Sequence, residues 1–154
     1  MNHALLAPVQ CANTSQTRAD LSSILRNLVR DHGAAFHSRA RFRDGAEYNR
    51  EQVYTAPGFE VWLLSWLPGQ ITPIHDHGGV VTVTTVLSGA ILEERFERTS
   101  GPLVRQSWTT RRAAGDLDRL DPAAIHRVRP VGNVVTLHLY VPTCADGQIY
   151  QATA

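Results

Sequence analysis

Four histidines in the strand-like region after residue 48 are the residues whose type and spacing could do chemistry. His75 and His77 lie one residue apart in the segment "PGQITPIHDHGGVV". Because alternate residues of a strand point to the same face, the two imidazoles project together, as a pair of metal ligands would. We expect Asp76, which lies between them, to point the other way, toward a backbone donor or a surface partner. A metal site generally needs a third protein ligand, and the remaining candidates are His126 and His138.

A second pattern surrounds His138. The segment "VVTLHLYV" places Thr136, His138 and Tyr140 on one face of a strand. The other histidines of the chain lie outside the strand-like region, near the N-terminus or beside a helix. A lone buried histidine is more often a hydrogen-bonded core residue than a ligand. Four histidines confined to one region are difficult to explain by packing alone, so the pattern favours a metal centre.

The elements that must position these side chains are short strands. From residue 48 onward, segments rich in β-branched and aromatic residues are separated by turn signals such as "APG", "LPGQ", "LSGA", "AAGD", "DPAA" and "VGN". Many short strands with no further helical pattern predict an antiparallel sandwich or barrel. Before them, "TRADLSSILRNLVRDHG" has apolar residues at helical spacing. It predicts one amphipathic helix over residues 18–32, with Thr17 as N-cap and Gly33 at its end.

The chain of 154 residues fits a single domain, 1–154. We expect a flexible arm over residues 1–16, a helical segment and loop over 17–47, and a β-barrel over 48–144. The predicted fold class is therefore all-β, a small antiparallel β-barrel with a short N-terminal helical segment.

The composition limits the classes of partner that we expect. The 15 Lys and Arg residues against 14 Asp and Glu give a formal net charge of +1, which offers no reason to expect nucleic acid or an anionic membrane. No apolar run approaches the roughly 18 residues of a membrane span, and the first residues do not resemble a signal peptide. Cys11 and Cys144 are too few for a disulfide framework and are interpreted as free thiols. We expect a cytoplasmic protein, a monomer or homodimer, with small-molecule partners.

The histidine spacing resembles the two sequence motifs of the cupins. "PGQITPIHDHGGVVTVTTVLSG" is similar to the first motif, with Gly89 closing a hairpin, and "GDLDRLDPAAIH" resembles the second, which ends at His126. The glutamate usual in the first motif is missing, and Val81 or Thr82 stands at its position. The resemblance implies a cupin, the jelly-roll form of the barrel. It also implies a three-histidine metal site rather than one completed by glutamate.

Within the cupins, the chain resembles the cysteine dioxygenase (thiol dioxygenase) family of bacterial type, from about Tyr48 to Pro142. The likeness rests on "YNREQVY", "PIHDH", "IHRV" and "LHLYVP" in this order. It implies Fe(2+) as cofactor, with a small thiol and O2 as substrates. Animal members carry a cysteine that cross-links to the active-site tyrosine, whereas this chain has Thr82, so no such cross-link can form. The resemblance also implies the site residues: iron ligands His75, His77 and His126, a supporting trio Thr136, His138 and Tyr140, and a carboxylate-binding Arg50.

The implied chemistry suits these residue types. Three neutral imidazoles leave Fe(II) with its full double positive charge, which favours an anionic thiolate and lowers the pKa of the thiol. Arg50 could hold a substrate carboxylate through charge-assisted hydrogen bonds, although a surface arginine at the barrel mouth fits its position almost equally well. The large aromatic residues elsewhere are interpreted as packing residues: Tyr48, Phe59, Trp62, Trp66 and Trp108.

Several functions remain open on the sequence. L-cysteine is the first substrate to consider, and 3-mercaptopropionate and cysteamine are alternatives within the same class. A biosynthetic offshoot could convert cysteine to another oxidised-sulfur product. A second enzyme class is a cupin dioxygenase that cleaves a carbon–carbon bond or a metal-dependent isomerase, but those enzymes usually use the missing glutamate. A non-catalytic cupin that holds Zn or Ni structurally is the alternative outside enzymes.

Overall fold

A computed structural model describes residues 17–143 and 145–153, and one helix precedes eight strands in those ranges. The elements are α1 (Thr17–Arg39), β1 (Asn49–Ala56), β2 (Phe59–Trp66), β3 (Ile74–His75), β4 (Val81–Ser100), β5 (Leu103–Ala113), β6 (Leu117–Leu120), β7 (Ile125–Val141) and β8 (Ile149–Ala152). Within the described ranges, no helix has both the length and the apolar character that crossing a bilayer requires. The expected arm over residues 1–16, Cys11 and Cys144 lie outside the described residues.

The strands form one closed barrel, which confirms the all-β prediction. The sheet order is β1-β2-β7-β3-β8-β5-β4-β6, and a further pairing of β4 with β7 closes it. The long strand β7 pairs antiparallel with β2, β3 and β4 along different parts of its length. Only the short contact between β5 and β8 is parallel among the strand pairs of the described residues. Because β7 pairs with β3, it brings His126 next to His75 and to the nearby His77.

Two predicted turns are instead bends inside long strands. "LSGA" lies within β4 and "VGN" within β7, where Gly89 and Gly132 have φ angles of 78° and 82°. A Cβ added to Gly89 would lie 2.5 Å from the carbonyl oxygen of Asn133. The prediction that Gly89 closes a hairpin is therefore wrong. Glycine at positive φ serves a bulge as readily as a turn, and here it lets each strand contribute to both walls of the barrel.

The helix is longer than its sequence pattern predicts. It passes through Gly33, the predicted end, and continues to Arg39. Phe36 is buried on this extra turn, in a cluster with Leu25 of the helix and Leu137 of β7. A glycine inside a helix costs about 1 kcal/mol, whereas burying a phenylalanine contributes about 1.5–3 kcal/mol. The packing of Phe36 against the barrel therefore outweighs the cost of Gly33, and the helix continues to Arg39.

The barrel also extends beyond the predicted boundary at residue 144. Strand β8 places Tyr150 in a buried cluster with Ile74, Phe96, Val104 and Ile125. Only Tyr150 is buried in this strand of four residues, so the sequence has no alternating pattern long enough to predict the strand. The boundary at 144 is wrong because the strand is defined by its partners β3 and β5 rather than by its own composition.

Candidate metal centre

Three histidine side chains converge at one end of the barrel. His75 in β3 lies directly opposite His126 in β7 in the strand register, and His77 follows two residues after His75. One potential ligand nitrogen from each of the three lies within 4.8 Å of the others. The ring centroids are 4.7 to 5.2 Å apart. The structure thus brings His126, and not His138, to the predicted pair.

The hydrogen bonds leave nitrogen lone pairs available for a cation. The Nδ1–H of His75 donates to the carbonyl oxygen of Pro73 at 2.9 Å, and Nδ1 of His126 lies 3.1 Å from Oε1 of Glu93. Nε2 of His126 and Nδ1 of His77 are buried without a hydrogen-bond partner among the described residues. A buried polar atom without a partner costs about 1–3 kcal/mol. A bound divalent metal would remove this cost, so the residues fit such an ion.

Burial keeps the three imidazoles neutral. It lowers the pKa of His75 and of His126 below the ordinary value of 6.5. For His77, burial and then the neighbouring His126 and His75 lower the pKa to about 3. A neutral imidazole presents a lone pair, whereas an imidazolium has none to offer. The site is therefore ready to bind a metal at neutral pH without first losing protons.

These lowered pKa values predict a pH dependence of the metal-free protein. The unfolded chain binds more protons than the folded one between about pH 6.5 and, for His77, about 3, so stability falls as the pH falls through this window. Asp118 opposes the trend, since burial and the charge of Glu93 raise its pKa to about 6. Because three site histidines act together, we expect the thermal unfolding midpoint to fall by roughly 3 °C or more between pH 7.5 and 5.5. Circular dichroism melts would show this, and an unchanged midpoint would contradict it.

His138 has a different environment from the three convergent histidines. Its Nε2 lies 2.8 Å from Oγ1 of Thr136 and its Nδ1 lies 3.1 Å from Oγ1 of Thr84. The indole N–H of Trp66 donates to the same Thr136 oxygen at 3.0 Å. With both ring nitrogens in hydrogen bonds, His138 has no lone pair for a metal. It is a buried polar residue beneath the site.

Tyr140 lies between this buried residue and the histidine cluster. Its ring centroid is 6.1 Å from that of His77 and 6.1 Å from that of His138, with which it is nearly parallel. Thr82 lies directly opposite Tyr140 in the β4–β7 register, and its Oγ1 is buried without a partner among the described residues. Thr82, which the resemblance places at the position of the animal cross-linking cysteine, is thus beside the tyrosine and carries a hydroxyl.

A cleft of about 240 Å³ opens over the histidines. Arg50 lines it together with Tyr140, and its guanidinium carbon lies 4.9 Å from the ring centroid of Trp62. Tyr48 also lines the cleft while stacking on Trp66 at 3.8 Å between centroids. The assignment of Tyr48 to packing alone is therefore wrong. The sequence did not distinguish the two roles, because one aromatic ring can both stack on a neighbour and line a cleft.

The C-terminal segment forms one wall of this cleft and is locked to Asp76. The carboxylate accepts hydrogen bonds from the Tyr150 hydroxyl at 2.6 Å and from the backbone N–H groups of Gln148 and Gly78 at 2.9 and 3.0 Å. Although burial raises the pKa of Asp76, these hydrogen bonds hold it below its usual value. A Cβ added to Gly147 would lie 1.8 Å from the Asp76 carbonyl oxygen. As predicted, Asp76 points away from the histidines and toward backbone donors.

Sequence reasoning missed Glu93, which contacts His126 and is only 2% exposed. Its carboxylate lies among Arg95, Arg112 and Asp118 inside the barrel. The available signal was the acidic pair in "ILEERFER", because strand alternation turns one of two neighbouring residues toward the barrel interior. Which acid faces inward depends on the strand register, which the sequence does not show.

Comparison with known proteins agrees with this architecture. The sequence matches the family described as "Cysteine dioxygenase type I" over residues 9–152. A solved protein of Klebsiella pneumoniae with a double-stranded β-helix domain is 19% identical, with a TM-score of 0.61 over 75% of this chain and 88% of that chain. A cupin superfamily protein of Desulfitobacterium hafniense is 14% identical, with a TM-score of 0.52 over 67% and 82% of the two chains. At these identities the structures show the fold alone, and they confirm the predicted cupin barrel.

Proposed function

Because the chain belongs to the cysteine dioxygenase type I family, we propose that it is a non-haem Fe(II)-dependent dioxygenase that oxidises a small thiol, L-cysteine first, to the sulfinate. In this reaction a thiol and O2 give a sulfinic acid that retains both oxygen atoms, so no external reductant is needed. The observation that carries the proposal is the convergence of His75, His77 and His126 beside an open cleft, with no side-chain carboxylate in the cluster of described residues.

The three histidines would hold the iron through neutral nitrogen atoms. When bound there, Fe(II) supplies a doubly positive centre that lowers the pKa of the substrate thiol and makes O2 reactive toward sulfur. The protein's contribution is to fix the ligand geometry. The hydrogen bonds at Nδ1 of His75 and of His126 orient those rings before any metal arrives.

Arg50 and Tyr140 would orient the substrate in the cleft. The Arg50 guanidinium, positioned against Trp62, offers two parallel donors to a substrate carboxylate. Tyr140 lines the cleft with its ring centroid 6.1 Å from that of His77, and its hydroxyl can donate a hydrogen bond to the carboxylate or to the developing sulfur-bound oxygen. His138 and Thr136 would support the tyrosine, because the ring of His138 lies nearly parallel to that of Tyr140 and is held by its hydrogen bond with Thr136.

The choice among thiols depends on Arg50. L-cysteine and 3-mercaptopropionate carry a carboxylate that this cation would bind, whereas cysteamine does not. Replacing Arg50 with glutamine is expected to raise KM for L-cysteine about 10-fold, since a hydrogen bond to a charged group contributes about 1.5–3 kcal/mol, while cysteamine turnover stays the same. O2-uptake kinetics with both thiols measure this, with Arg105→Gln, a surface arginine on β5, as the control. Equal losses for the two thiols would contradict carboxylate binding by Arg50.

The proposed reaction is tested by anaerobic loading with Fe(II), followed by O2 consumption with L-cysteine, 3-mercaptopropionate and cysteamine. The expected product is two oxygen atoms heavier than the thiol, and both atoms derive from labelled O2. A product with a different oxygen content would favour the biosynthetic offshoot. Zinc or nickel held tightly, with no thiol-stimulated O2 uptake after iron loading, would favour a non-catalytic metal-binding cupin and end the dioxygenase proposal.

A further inference from the structure

We propose that Glu93 is a positioning residue for the metal centre: its carboxylate holds His126 in the tautomer that carries the proton on Nδ1, which directs the Nε2 lone pair at the metal. The inference rests on the proposed metal site and adds to it a residue that none of the sequence motifs contains. It concerns the assembly of the site and not the choice of substrate.

The geometry leaves one arrangement of the proton. Oε1 of Glu93 lies 3.1 Å from Nδ1 of His126, and both side chains are almost completely buried. Both oxygens of Glu93 face guanidinium N–H groups, which can only donate, so the carboxylate acts as the acceptor and the Nδ1–H of His126 donates to it. A neutral imidazole has one N–H, and the other nitrogen is then an acceptor. That nitrogen, Nε2, is the buried atom without a hydrogen-bond partner among the described residues.

Two arginines hold the Glu93 carboxylate in place. Arg112 Nε donates to Oε2 of Glu93 at 2.8 Å, and Arg95 Nη2 lies 3.0 Å from Oε1. Both arginines also contact Asp118, at 2.8 and 2.5 Å. Two guanidinium groups and two carboxylates thus compensate one another, which a buried carboxylate requires. Each Glu93 oxygen faces one arginine, and these two contacts hold the carboxylate in its orientation toward His126.

A carboxylate behind a ligating histidine strengthens the metal bond in two ways. It fixes the ring orientation and the tautomer, and its negative charge makes the far nitrogen a better donor to the metal. Losing such a partner typically reduces metal affinity by about 10- to 100-fold. A glutamine at position 93 would keep the shape of the side chain but lose the charge, and its amide could present an N–H to Nδ1, which favours the opposite tautomer.

The neighbouring residue provides a matched control. Glu94 is as deeply buried as Glu93, at 2% exposed, and it also binds two arginines, Arg127 at 2.6 Å and Arg129 at 2.5 Å. Adjacent strand residues point to opposite faces, so Glu94 faces away from the histidines. Glu94→Gln therefore removes the same charge from a similar environment without touching the site.

The experiment compares the dissociation constant for Co(II), measured by chelator competition, in the full chain and in the Glu93→Gln and Glu94→Gln variants. Thermal melts of the metal-free proteins report the stability that each loses. We expect Glu93→Gln to weaken Co(II) binding about 10-fold and Glu94→Gln to change it by less than about 2-fold, even where both lose similar stability. Unchanged binding in Glu93→Gln would overturn the proposal, and so would an equal loss in both variants.

A measurement on the unsubstituted protein decides the matter if Glu93→Gln fails to fold. Long-range ¹H–¹⁵N spectra of the metal-free chain distinguish the two tautomers of His126, and the expected one has the proton on Nδ1. Observing the proton on Nε2 would overturn the proposal. These readouts need no thiol substrate. Absent thiol oxidation would end only the dioxygenase proposal, whereas normal oxidation with unaltered metal affinity in Glu93→Gln would end only the role of Glu93.

Discussion

Replacing His126 with alanine is expected to abolish both iron retention and thiol-dependent O2 uptake. Among the described residues the cluster has three candidate ligands, and without His126 the metal keeps two protein nitrogens, from His75 and His77. Structural and catalytic sites generally need at least three protein ligands. Iron content after desalting and the initial rate of O2 uptake with L-cysteine measure the two losses.

The control is His37→Ala, because His37 lies exposed on the helix and outside the cluster. It should keep wild-type iron content and rate. Added imidazole provides a second check, since it can fill the space left by the His126 ring and supply a nitrogen ligand. Partial recovery of iron binding in His126→Ala would show a loss of coordination rather than of fold. Full iron content with full activity in His126→Ala would rule out the three-histidine assignment.

The convergence of the histidines could be predicted because strand alternation is a local rule. The structure ends β3 at His75, yet His77 still joins the cluster, and Asp76 between them points toward the donors at Gln148 and Tyr150. The motif order added His126 from a distant segment, and the β3–β7 register places it directly opposite His75. Arg50 reaches the same cleft because β1 follows the edge of the barrel wall formed by β2.

The features that the sequence did not predict depend on contacts between residues of different strands. Gly89 is equally suited to a turn and to a bulge, and only the approach of Asn133 decides between them. Glu93 and Glu94 are indistinguishable in the sequence, yet one contacts His126 and the other contacts surface arginines. Tyr150 is buried because it packs against Ile74 and Phe96, which lie on other strands. Tertiary packing determines these contacts, so a local sequence pattern cannot predict them.

Replacing Tyr140 with phenylalanine is expected to leave iron bound and to lower turnover about 10- to 100-fold. The substitution keeps the ring, which is 6% exposed and packed between His77 and His138, and removes only the hydroxyl. The metal-binding nitrogens are untouched, so iron content should equal that of the wild type. The lost hydroxyl would orient substrate or stabilise developing charge, so kcat should fall more than KM rises.

Tyr54→Phe is the matched control for this experiment. Tyr54 packs against Phe59 with 5.4 Å between centroids and does not line the cleft, so its hydroxyl should be dispensable for turnover. Comparing kcat across pH in both variants separates chemistry from packing, because a proton-handling hydroxyl alters the pH profile and a structural one does not. Thr82 opposite Tyr140 excludes a thioether at this position, so the measured difference would belong to the hydroxyl alone. An unchanged rate in Tyr140→Phe would remove Tyr140 from the catalytic residues and leave the histidines and Arg50 to account for the reaction.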